Sequence, residues 1–205
     1  MLWEGCESGI TDQVQKAIQE LSKHGVQIIE AQAPQIKEAI ELFQIGSIPG
    51  MELKEFLTSE LPDWIETTDP VVGRRIKDSS SHDTNEFLSR CRAINRISCE
   101  IQSYFDKVDL IVSPTVPISP PHVNEVLDIT SYASRNLASL RNTSACNLLK
   151  LCGISMPAGL DSQGMPVGLQ LWGPHSSDEK LLCIAYCFEK ILGTSLERIG
   201  RLPLH

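Results

Sequence analysis

Hydrolysis by a protein side chain needs an activated nucleophile, a base beside it and donors for the charge that develops. Few groups in these 205 residues qualify. Ser79–Ser80–Ser81 is the only run of three serines, and Asp78 and His82 flank it instead of glycines. It reads as a solvated turn ahead of a helix, not as a nucleophile loop. Cys146 beside a histidine would be a second option. The histidines are His24, His82, His122, His175 and His205, and each also reads as a helix end, a loop or a terminus. Cys183 and Cys187 are four apart on a helix, a spacing open to a metal, but Leu182, Ile184 and Phe188 around them favour core packing. No CxxC pair and no Cys/His cluster with zinc spacing occurs, so no metal is expected. Asp161-Ser162-Gln163-Gly164 is turn chemistry, and the glycines are too dispersed for a phosphate loop, so no cofactor is expected either.

The elements that must position such groups follow from periodicity. Thr11 as N-cap and Val14, Ile18 and Leu21 at spacings of four and three mark a helix stopped by Gly25, and Val26–Ile29 reads as a short strand after it. Pro34–Phe43 reads as a helix that Ile48-Pro49-Gly50 breaks, with a short helix over Glu52–Leu61 and an irregular stretch from Pro62 to Pro70. Arg74–Lys77 is a small basic group suited to a solvated helix end. Asp83 or Thr84 caps a long helix whose apolar face carries Phe87, Cys91, Ile94, Ile97, Ile101 and Phe105, with Arg90, Arg92, Arg96 and Glu100 on other faces. Asp109–Val112 is a buried-type strand, and Glu125–Ala138 has weak helical character, as a loop or a short helix.

The stretch Arg141–Pro174 reads as the centre of the chain. Ser144 or Thr143 caps a helix carrying Leu148, Leu149 and Leu151 that Gly153 ends; Ile154–Pro157 is a short strand; the Asp161–Gly164 turn follows; Pro166–Trp172 alternates as a second strand. Ser176 or Ser177 then caps a last helix with Leu181, Leu182, Ala185, Phe188, Ile191 and Leu192 on its apolar side, and Gly193 ends it.

Three motifs carry a family resemblance. Asn147-Leu148-Leu149, Met156-Pro157-Ala158-Gly159 and Gly164–Gln170 (GMPVGLQ) together resemble the C-terminal signature of the amidase signature family, and Asp109–Pro117 (DLIVSPTVP) resembles its preceding strand. Lys150 departs from the usual glycine, and Cys152-Gly153 from the usual Pro-Ala. The resemblance runs from about Thr11 onward. It implies an α/β fold, part of the amidase-signature architecture, with a mixed central sheet flanked by helices. It implies one domain over residues 1–205, with residues 34–82 as a helical peripheral insertion. Enzymes of that family use a Ser–Ser–Lys arrangement, of which this chain shows no match, so no catalytic residue is expected in it. The segment before the matching asparagine lines the substrate pocket in the resembled family, which points to Arg141, Asn142, Thr143 and Asn147, with Tyr132 and Arg135 as weaker candidates. A guanidinium beside an amide and a hydroxyl suits a small polar amide or a carboxylate.

Bulk properties narrow the functions. A hydrophobic content of 41% and a charged content of 21% are ordinary for a globular chain. The net charge of −8 argues against nucleic acid and against an anionic membrane. No apolar run reaches a membrane-spanning length, and the N-terminus has no secretory pattern. Seven scattered cysteines fit buried free thiols in a reducing, cytoplasmic setting. The expected function is the C-terminal segment of an amidase-type hydrolase acting on C–N amide bonds, supplying sheet core and a pocket wall. Its partners would be a small amide substrate and an N-terminal amidase segment, or a homo-oligomer. The alternatives are a catalytically inactive binding or scaffold module derived from an amidase, and part of a glutamyl-tRNA amidotransferase A-like subunit.

Overall fold

Two β-rich runs around a polar turn make the central hairpin. The computed structural model describes residues 1–45, 48–71, 73 and 84–201. Strand β2 (Cys152–Leu160) pairs antiparallel with β3 (Pro166–Gly173), in a register running from Cys152 opposite Gly173 to Leu160 opposite Pro166. Asp161 closes the turn: its Oδ1 accepts from Gln163 N and Met165 N, both at 2.8 Å, and Gly164 takes the positive φ of 79° that favours glycine. The register slips between Pro157 and Gly159. Proline has no N–H for a ladder, so it sits on this edge strand at an irregularity. Strand β1 (Ile111–Pro114) pairs antiparallel with the other side of β3, giving the order β1-β3-β2.

Alternation along β3 sends successive side chains to opposite faces, and each face is covered by helices. Leu169 and Leu171, with Met156 and Ala158, meet α1 (Ile10–Lys23) through Ile10, Val14, Ala17 and Leu21. The same layer receives Leu181, Ala185, Phe188 and Leu192 of α6 (Asp178–Leu192). Trp172 points the other way. It packs with Ile36, Ala39 and Ile40 of α2 (Pro34–Ile45), Ile97 of α4 (Thr84–Glu100), Ile101 of the following 3-10 turn, and Ala145, Cys146 and Leu149 at the end of α5 (Ile129–Leu148). Helix α3 (Ile48–Glu60) and a 3-10 turn over Pro62–Thr67 lie beyond α2, and α7 (Ser195–Ile199) closes the described chain with a Thr194/Glu197 capping box. The result is an α/β fold with a small antiparallel sheet flanked by helices.

Several expectations change. Helix α1 starts one residue before Thr11, and its N-cap is Gly9 at φ 87° with no side-chain bond. Val26–Ile29 forms no strand: Val26 N bonds Leu21 O at 3.2 Å to close the helix, and Ile28 and Ile29 are exposed. Ile48-Pro49-Gly50 breaks α2 but opens α3, where proline fits the first turn. The strand at Asp109–Val112 is shifted to Ile111–Pro114. Thr143 and Ser144 cap nothing, because α5 begins at Asp128, whose Oδ1 accepts from Thr130 N and Ser131 N at 3.0 Å each. Residues 129–138 and the helix expected after them are therefore one 20-residue helix, Glu125 and Val126 lie in a 3-10 turn over Val123–Val126, and Gly153 lies in β2. Cys183 and Cys187 are exposed, with Leu182 and Tyr186, because α6 turns its other face to the sheet. Cys146 alone of the seven free cysteines is buried. Asp83, the basic group Arg74–Lys77 and the serine run lie outside the described residues.

Candidate functional site

Polar groups gather at one end of the sheet. Thr115 continues β1, its N bonding Gly168 O at 2.9 Å. Its hydroxyl meets that of Ser155 on β2 at 2.7 Å, above Gly168 on β3. A Cβ at Gly168 would stand 2.5 Å from both hydroxyl oxygens, so only glycine leaves room for the pair. Beside them Ser119 Oγ donates to Asp161 Oδ2, and Ser119 N donates to Glu7 Oε2 at 2.8 Å. Thr115, Ser155, Ser119 and Asp161, with Ile10, Met156 and Val167, line a cavity of about 310 Å³. Burial pushes the Asp161 carboxyl up, but the bonds from Ser119, Met165, Gln163 and Gly164 outweigh it and leave the group below the ordinary aspartate value. Glu7 follows the same pattern: burial raises it, and Arg135 and Ser119 bring it below the usual glutamate value. Among the described residues no lysine or histidine lines this cavity, so neither hydroxyl has one of these bases beside it. The arrangement can accept and donate hydrogen bonds and hold a chain in place.

Of the residues expected to contact substrate, two work on the protein itself. Asn142 is fully buried, and its Nδ2 donates to Leu2 O at 3.0 Å and Pro114 O at 2.7 Å, tying the N-terminal segment and β1 to α5. Arg141 Nε donates to Asn142 Oδ1 at 3.1 Å and its Nη2 to Leu2 O at 3.3 Å. Thr143 bonds back to Leu140 O within its helix. Arg135 pairs with Glu7 at 2.6 Å, and Tyr132 is exposed. Asn147 is among the residues that line a cavity.

That second cavity, about 120 Å³, lies among α2, α3, α4 and α5. Leu42, Phe43, Ile48, Pro49, Ile94 and Leu148 form its apolar wall; Arg90, Ser144 and Asn147 supply its polar groups. Arg90 is 7% exposed and ion-paired with Glu86 one turn earlier. A guanidinium, an amide and a hydroxyl thus line one cavity, in Arg90, Asn147 and Ser144. Spacing held the missed signal: Arg90 is three residues after Phe87 and four before Ile94, inside the apolar stripe of α4. The cysteine option loses its footing, since burial pushes the Cys146 thiol up to about 12 and it bonds the carbonyls of Leu151 and Cys152. Among the described residues no group of three or more His, Cys, Asp or Glu could hold a metal ion, and no helix is long and apolar enough to cross a membrane.

Comparison with known proteins gives this geometry its context. Residues 1–182 match the family model described as Amidase. The 2-amino-5-chloromuconic acid deaminase of Comamonas testosteroni is 34% identical over 198 residues, which cover 97% of this chain and 43% of that protein. The A-type subunit of glutamyl-tRNA(Gln) amidotransferase from Thermoanaerobacter pseudethanolicus is 28% identical over 210 residues, covering 91% of this chain and 42% of that protein. The structure of 6-aminohexanoate cyclic dimer hydrolase superposes with a TM-score of 0.78 at 17% identity, over 97% of this chain and 43% of the other. The chain therefore spans less than half the length of these relatives, and it corresponds to their C-terminal part.

Proposed function

Because the chain belongs to the amidase family, we propose that it forms the C-terminal portion of an amidase-type hydrolase acting on C–N amide bonds, to which it contributes part of the sheet core and one pocket wall. One observation carries this reading: a family match over residues 1–182 is combined with a hydroxyl pair, Thr115 and Ser155, whose cavity is lined by no lysine or histidine among the described residues. In such an enzyme the nucleophile and its base come from another segment, and the present residues shape the space they act on. Arg141, Asn142 and Thr143 hold the wall, and Asn147 reaches the ligand. Residues 1–205 act as one unit, with 34–82 as its peripheral helical part. The partners are the N-terminal amidase segment and a small soluble substrate in the cytoplasm. The Comamonas testosteroni relative is named for a small carboxylic acid, which supports that size and polarity.

Similarity to the amidotransferase supports a second reading, transfer of ammonia for amidation on transfer RNA. The net charge of −8 disfavours direct contact of this chain with RNA. A fluorophosphonate probe, which labels activated serines, tests the main reading. It should leave the purified chain unlabelled and, once the chain is combined with the unmatched part of the Comamonas testosteroni relative, label that part. Label on a serine of this chain would refute the division of labour.

A further inference from the structure

We propose that the cavity among α2, α3, α4 and α5 is a binding site for a small carboxylate with an apolar body, with Arg90, Ser144 and Asn147 receiving the carboxylate. The ligand's shape follows from the volume. About 120 Å³ is slightly less than a cavity that takes benzene, so the whole ligand, carboxylate included, has about five or six carbons. Its chemistry follows from the lining. The six apolar residues would bury the body, and dispersion and burial hold it there without direction. The polar end is rich in donors: the guanidinium, a hydroxyl and a side-chain amide, with no aspartate or glutamate among the described residues that line it. A carboxylate only accepts hydrogen bonds and matches that set, whereas a carboxamide brings two donors of its own.

The position of Arg90 is the second argument. A guanidinium 7% exposed is costly to bury and is kept in place by Glu86 on the preceding turn of the same helix. Glu86 holds its Nη2 from α4 while Ser144 and Asn147 lie on α5, three residues apart and hence on one helix face. Neither Ser144 nor Asn147 spends its side chain on a hydrogen bond elsewhere among the described residues. Two helices thus present polar groups to one point, and α2 and α3 roof it with Leu42, Phe43, Ile48 and Pro49. In the amidase reading this site would hold the non-reacting end of the substrate. That role rests on the reading; the binding itself does not.

The test uses the whole 205-residue chain and reads binding without turnover. Pentanoate is titrated while amide resonances are followed by NMR, with pentanamide as its neutral counterpart. Pentanoate should bind saturably, shifting resonances of α4 and α5, and at least about tenfold more tightly than pentanamide. Asn147→Asp, at the exposed rim, should weaken pentanoate by about tenfold through like-charge repulsion and change pentanamide by less than about threefold. Arg90→Met should abolish the preference for the acid; if it unfolds the chain, Asn147→Asp still decides. No saturable shift at the cavity, equal binding of acid and amide, or pentanoate binding unchanged by Asn147→Asp would each overturn the proposal. A chain that binds pentanoate but supports no hydrolysis when combined with its partner segment would overturn the amidase reading alone.

Discussion

Asp161 gathers three donors: Ser119 Oγ on Oδ2, and Gln163 N and Met165 N on Oδ1. It closes the β2–β3 turn and fastens to it the segment after β1. Its carboxyl lies below the ordinary value in the folded chain, so the unfolded chain binds the proton more readily. The stability it contributes is complete above the unfolded value of about 3.9 and is lost as pH falls through the lowered folded value. Acid titration followed by circular dichroism should show that loss. Asp161→Asn should cost about 1–2 kcal/mol at neutral pH and flatten this part of the acid limb; an unchanged acid limb would mean that the bonds to Asp161 are not made in solution. Residue types alone singled out Asn147, which lines the helical cavity, but not Arg90 and Ser144, which line it too. Asn142 was legible as a polar residue beside an arginine. That both its donor bonds end on backbone carbonyls 28 and 140 residues away was not, because such pairings depend on tertiary contact.

At the scale of elements, legibility followed local signal strength. Helices α1, α4 and α6 show apolar residues at threes and fours, and the hairpin shows a turn between alternating runs, so their sequences specify them. Helix α5 lacks such a stripe. Its interior carries Ser131, Ser134, Asn136, Ser139, Asn142 and Thr143, and only Asn142, Ala145 and Cys146 are buried. Its start depends on a single side chain, Asp128, which is easily overlooked among polar residues. Asp128→Ala should lower stability by about 1 kcal/mol, read by urea denaturation, and fray the first turn of α5. A change within error would mean that tertiary packing, not the cap, sets the start of the helix. Val26–Ile29 failed in the opposite direction. Its composition is that of a strand, but a strand needs a neighbour to bond, and none pairs with it among the described residues.

For the whole molecule, the sheet with a helical layer on each face gives two hydrophobic clusters, one around Leu169 and Leu171 and one around Trp172. Both form from residues within the chain, which supports a folded unit. The site's chemistry does not close in the same way: among the described residues neither the cavity of the Thr115–Ser155 pair nor the helical cavity is lined by a lysine or a histidine. Relatives more than twice as long share this portion as their C-terminal part, which is the basis for the proposal that another segment completes the reaction. The direct measurement is ammonia release from small primary amides by the purified chain, alone and after combination with the unmatched part of the Comamonas testosteroni relative. No turnover above background for the chain alone and measurable turnover for the combination are the expected result; turnover by the 205 residues alone would contradict it.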